Sequence, residues 1–142
     1  MYSNNDILDL SEYIHENYGP ANENFPFWKI LNLIDRHQDK IVFVKDGKKF
    51  KGAAMYIKLD DDAIAGILEG MIDPTSPDDM RILLSSQGDN IHFIFIVADG
   101  IKTILKGLRK VIAKENPYSV TWFNPDMEFR LIKYRRELCQ SH

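Results

Sequence analysis

"HFIFIVADGIKTILKGL", residues 92–108, is the stretch that decides the fold. Its first seven residues are almost unbroken in apolar character, which reads as a strand buried on both faces at the centre of a sheet covered by helices. From Gly100 the period changes. Ile101, Ile104, Leu105, Leu108, Val111 and Ile112 recur at helical spacing, while Lys102, Lys106, Arg109, Lys110 and Lys114 occupy the remaining positions. A buried strand therefore empties onto a helix at a glycine, with no ordinary loop between. The first N–H groups of a helix have no intrahelical acceptor and lie at the positive end of its dipole, so such a join is suited to holding an anion.

Upstream, "KIVFVKDGKKFKGAAMYIKL", residues 40–59, reads as strand, Asp46-Gly47 turn and returning strand. Gly52 in the returning strand marks a bulge or a backbone that something approaches closely. Two helices precede this hairpin. The first, over Asn4 to Asn17, places Ile7, Leu10, Ile14 and Tyr18 near helical spacing and ends at Gly19-Pro20; the second, over Phe27 to Gln38, aligns Phe27, Ile30, Leu31 and Ile34. Between the hairpin and the apolar strand, "DDDAIAGILEGM" and "DPTSPDDMRILLSS" predict two short helices, the second with Ser76 as N-cap and Pro77 at its first position. Downstream come "YSVTWF", a turn at Asn124-Pro125-Asp126 and the alternating strand "MEFRLIKYRREL".

Length and composition bound the rest. A chain of 142 residues is expected to form one domain, residues 1–142, with 44% hydrophobic residues sufficient for a core. A net charge of −3 gives no general attraction to a phosphate backbone, and the lysine-rich face of the last helix lacks interleaved aromatics, so no nucleic-acid partner is expected. No apolar run approaches the roughly 20 residues of a membrane span, and "MYSNNDILDL", with two acidic residues and no basic run before its apolar positions, does not read as a signal peptide. The single cysteine, Cys139, has no disulfide partner and no metal-ligand spacing around it, which fits a cytoplasmic protein without a bound metal. A homodimer is left open.

The order helix, helix, hairpin, short helices, central strand, helix, strand, strand resembles the GNAT N-acetyltransferase superfamily. The resemblance is carried by the hairpin "IVFVKDGKKFKGAAMYI", the strand "IHFIFIVAD", the helix from Gly100 and the strand "SVTWFN", and it covers residues 4 to 135. It implies an α/β (α+β) fold with a mixed, mostly antiparallel central sheet flanked by helices on both faces. It also implies acetyl-CoA as acyl donor and a small-molecule or peptide amine as acceptor. Val97 and Ala98 would then line the pantetheine arm, and Gly100, Ile101, Lys102 and Thr103 would cradle the diphosphate.

Two departures from the family pattern follow. The phosphate loop of the family carries Gln or Arg, two residues, Gly, one residue, then Gly or Ala. Here Val97-Ala98-Asp99 runs straight into Gly100 and "IKTILKGL", so glycines are missing, the loop is short, and Asp99 adds a negative charge that Lys102 would have to offset. The family's helix with a thiolate-protonating tyrosine is also absent; Tyr118 and Tyr134 are nearest, and neither matches its position. A catalytically inactive GNAT-fold binding module, of phage or mobile-element origin, is thus the alternative to an N-acetyltransferase.

Individual side chains have two readings each. His92, on the central strand, is the candidate general base, against a neutral hydrogen-bonded core histidine. Asp60, Asp61 and Asp62 fit helix capping better than a metal site. Trp28 and Trp122 are expected to anchor the core. His15, His37 and His142 show no ligand spacing.

Overall fold

The computed structural model describes residues 3–18, 26–74, 76–123 and 129–133. Tyr134, Cys139, His142, Gly19-Pro20 and the turn at residues 124–126 lie outside them. Along the chain come α1 (Asn4–Asn17), α2 (Phe27–Arg36), a 3-10 turn (Gln38–Lys40), β1 (Ile41–Asp46) and β2 (Lys49–Leu59). They are followed by α3 (Asp61–Leu68), α4 (Pro77–Leu84), β3 (Asn90–Ala98), α5 (Ile101–Glu115), β4 (Ser119–Phe123) and β5 (Phe129–Lys133).

The strands form one sheet in the order β1-β2-β3-β4-β5. β1 and β2 pair antiparallel, β3 and β4 parallel, β4 and β5 antiparallel. This is an α+β architecture with a mixed, mostly antiparallel sheet, as the element order implied. The chain divides into two compact units, residues 1–55 with 95–111 and residues 56–94 with 112–142.

In the first unit, α1 starts where its sequence signals place it. The Ser3 side chain caps the Asp6 N–H at 3.1 Å, and Ile7, Leu10 and Ile14 are buried along one face. α2 buries Ile30 and Ile34 but stops at Arg36, earlier than its periodicity predicts, because His37 (φ −128°, ψ 42°) leaves the helical region. Trp28 is not the core anchor expected. It lies off the Ile30–Ile34 face, is 59% exposed, and has the Lys29 ammonium 5.8 Å from its ring.

The hairpin turns at Gly47, whose φ of +64° suits glycine. Its register runs Ile41↔Met55 to Val44↔Gly52 and then jumps to Lys45↔Phe50, which leaves Lys51 as the extra residue of a bulge. Gly52 is a close approach as well as a neighbour of that bulge. A Cβ built there would lie 3.3 Å from Ile104 Cδ1 and 3.4 Å from Ala98 Cβ, so its absence lets α5 and the end of β3 come down on the hairpin.

In the second unit, Asp60 caps α3 by accepting from the Ala63 N–H at 2.7 Å, which bears out the capping reading of the aspartate run. Ser76 stands at the N-cap of α4 without making a side-chain cap bond; Asp79 in the first turn accepts instead from the Asp73 N–H at 2.8 Å. The parallel register of β3 with β4 covers Asn90↔Ser119, Ile91↔Val120 and His92↔Thr121. Among the described residues no helix is long and apolar enough to cross a membrane.

Candidate functional site

The two ends of β3 carry polar groups of different kinds. At its start, in the second unit, Asn90, His92, Ser119 and Thr121 are all buried, on the same face of the parallel pair by their two-residue spacing. The Ser119 hydroxyl donates to Asn90 Oδ1 at 2.6 Å, while the Asn90 amide donates to the Leu59 carbonyl at 3.1 Å and to Asp61 Oδ1 at 2.8 Å. His92 Nδ1 lies 2.9 Å from Thr121 Oγ1, whose hydroxyl in turn reaches the Ile91 carbonyl at 3.4 Å. Phe123 meets the imidazole edge-on at 6.1 Å. Burial pushes the His92 pKa down to about 4, because a cation there would lose its hydration without an anion to replace it. His92 is therefore a neutral imidazole with one nitrogen already engaged.

At the other end, in the first unit, the strand meets α5. Gly100 is the informative residue. Its φ is not in the left-handed region, and among the described residues a Cβ there would have, beyond its chain neighbours, Thr103 Oγ1 near it, at 3.8 Å. Neither backbone conformation nor packing requires glycine, in contrast to Gly52. A small residue not crowded by described neighbours, at the front of a helix, leaves room for a ligand to approach the main chain.

Of the amides at this join, two are already used. The Asp99 N–H donates to the carbonyl of the bulged Lys51 at 2.9 Å, and the Thr103 N–H donates to the Gly100 carbonyl at 3.0 Å. Thr103 thus leaves the set of main-chain donors that the resemblance assigned to a diphosphate, because its N–H closes the first turn. Gly100, Ile101 and Lys102 precede the point at which helix geometry supplies an acceptor. Val97 is buried and Ala98 half-buried, and both approach this join along β3.

Asp99 is held on both oxygens. Oδ1 accepts from the Tyr13 hydroxyl at 3.0 Å, and Oδ2 lies 3.4 Å from Lys51 Nζ. Burial and the adjacent carboxylate together raise the Tyr13 pKa well above its ordinary value, so the phenol stays protonated and donates. The offsetting cation is Lys51, whereas Lys102 is exposed on α5. Tyr13 and Lys51 carry no sequence signal of their own beyond Gly52, which marks the bulge that sets Lys51 out of the ladder. Among the described residues no group of three or more His, Cys, Asp or Glu side chains is placed to hold a metal ion.

No protein-family model matches the chain, and no curated protein matches it in sequence. Solved structures do match in fold. One is the GNAT-like decarboxylase GphF in complex with isobutyryl-CoA, with a TM-score of 0.59 at 10% identity over 85% of this chain. The match covers 62% of that protein's chain. At such low identity the likeness speaks for architecture alone. This chain has a GNAT-like fold.

Proposed function

We propose that the chain binds an acyl-CoA-type thioester along the end of β3 and transfers the acyl group, acetyl in the simplest case, to an amine. The observation that carries this reading is Gly100, a glycine that the fold itself does not need, at the mouth of α5. The GNAT-like neighbour solved with isobutyryl-CoA supports the ligand class. The main chain of Val97 and Ala98 would line the pantetheine arm, with the Gly100, Ile101 and Lys102 amides beyond it. A thioester supplies an activated acyl carbon; the contribution of the chain is to orient it and to hold the developing oxyanion with main-chain N–H donors. His92 is assigned a structural role instead of a catalytic one, since its ring is buried and bonded to Thr121.

The join fits the parts of such a ligand unequally. A neutral pantetheine arm meets strand backbone and a bare glycine. A diphosphate meets few free amides and the Asp99 carboxylate. That mismatch favours a second reading, a GNAT-like binding module without turnover.

Calorimetry with acetyl-CoA and isobutyryl-CoA tests the binding, and mass spectrometry of an amine panel tests transfer. A dissociation constant weaker than about 1 mM for both thioesters removes the proposal. Binding without any acylated amine selects the module. Gly100→Val is expected to abolish binding while leaving the unfolding midpoint in place.

A further inference from the structure

We propose that Asp99 is a specificity-determining carboxylate: it admits the neutral pantetheine arm of a thioester at the end of β3 and disfavours a diphosphate at the front of α5. The inference rests on the reading above and deepens it by naming the charge of the preferred ligand. Three observations within the first unit carry it.

Asp99 immediately precedes the glycine that opens α5, one residue from the main-chain N–H groups that a helix start leaves without acceptors. Its carboxylate is anchored. The Tyr13 hydroxyl from α1 and the Lys51 ammonium from the bulge of β2 engage its two oxygens, and its own N–H is tied to the Lys51 carbonyl. Rotation of the side chain out of the way would break the first two contacts together. Finally, Asp99 occupies Lys51. The bulge brings a cation to this join, and Asp99 neutralises it before any incoming phosphate can.

A ligand without a diphosphate avoids all three obstacles. One with it faces a fixed negative charge and a cation already paired. The affinity that coenzyme A gains from its diphosphate at an unobstructed helix N-terminus is therefore expected to be small here.

The test compares isobutyryl-CoA with S-isobutyryl-pantetheine by calorimetry, on the full chain and on Asp99→Asn. Asparagine keeps the size, the N–H to Lys51 and an acceptor for Tyr13, while it removes the charge and frees Lys51. In the unaltered chain the two ligands should bind within about threefold of each other. Asp99→Asn should tighten isobutyryl-CoA about tenfold, the effect of removing one repulsive charge at a partly solvated site, and change the pantetheine thioester less than twofold. An unaltered chain that binds the coenzyme A ester ten times tighter than the pantetheine ester overturns the inference. So does an Asp99→Asn chain in which both ligands tighten equally or neither changes, and the thioester reading then survives. If neither ligand binds either chain, the thioester reading falls and the inference falls with it. Urea unfolding of both chains shows that the variant is folded.

Discussion

The start of β3 and its end differ in where their polar groups find partners. At the start, Asn90, His92, Ser119 and Thr121 are closed off from water and satisfied by one another, by the Leu59 and Ile91 carbonyls and by Asp61. At the end, Asp99 is 46% exposed and ion-paired, and Gly100 has no described neighbour closer to a built Cβ than Thr103 Oγ1 at 3.8 Å. Buried polar groups that complete one another hold a register, and removal of one leaves the others unpaired in a medium where that is costly. Exposed polar groups around a bare glycine contribute little to stability and remain available to a ligand. The same strand thus has a structural end and a candidate functional end.

Substitutions can break this contrast. The largest loss is expected from Asn90→Leu, which strips partners from Ser119, Asp61 and the Leu59 carbonyl at once; urea unfolding should show about 4 kcal/mol. Next comes the pH response of His92. Its pKa is near 6.5 in the unfolded chain and about 4 in the folded one, so the unfolded state binds the proton more readily. The His92 contribution to stability is therefore intact above pH 6.5 and falls as pH drops towards 4, by about 3 kcal/mol. His92→Gln should be flatter than the unaltered chain by that amount between pH 7 and pH 4; equal slopes would place the imidazole in contact with water.

Thr121→Val keeps the shape and loses the hydroxyl between Nδ1 and the Ile91 carbonyl, with an expected cost of about 1.5 kcal/mol in the same assay. At the far end of the strand the effects shrink. Asp99→Asn removes a partly exposed ion pair and should cost less than about 1 kcal/mol. Gly100→Val should stay within about 0.5 kcal/mol, since among the described residues the new Cβ comes near Thr103 alone, and at 3.8 Å. A loss at Gly100 as large as that at Asn90 would erase the distinction between the two ends.

A second clasp sharpens the comparison. Tyr56 donates to Glu115 Oε2 at 2.7 Å, and Lys58 lies 3.1 Å from Oε1, so one carboxylate near the end of α5 is tied to two residues of β2. Glu115 and Asp99 thus have the same partner types, tyrosine and lysine. The Glu115 side chain is only 11% exposed, and its clasp belongs with the structural groups of the second unit.

Much of this was legible from short stretches. α1 runs from Asn4 to Asn17 as its caps and periodicity require, the Asp46-Gly47 turn forms, Asp60 caps α3, and Pro77 opens α4. All of these depend on neighbours within a few residues, where steric preference and local hydrogen bonds dominate. Two expectations failed for the complementary reason. Trp28 was assigned to the core from its residue type, but the helix phase set by Ile30 and Ile34 turns it outward. Lys102 was expected to offset Asp99 from sequence proximity, but a bulge delivers Lys51 instead.

The sequence by itself determined the order of elements, the buried character of β3 and the glycine at which it passes into α5, because hydrophobic period and backbone preference act locally. Only the tertiary structure decided that Tyr13, 86 residues away along the chain, and Lys51 would meet at Asp99. It alone also decided that the Thr103 amide would be taken and that Gly100 would stand uncrowded. Such convergence depends on how a helix packs, where a bulge falls and which register wins, and no single stretch of sequence encodes those choices.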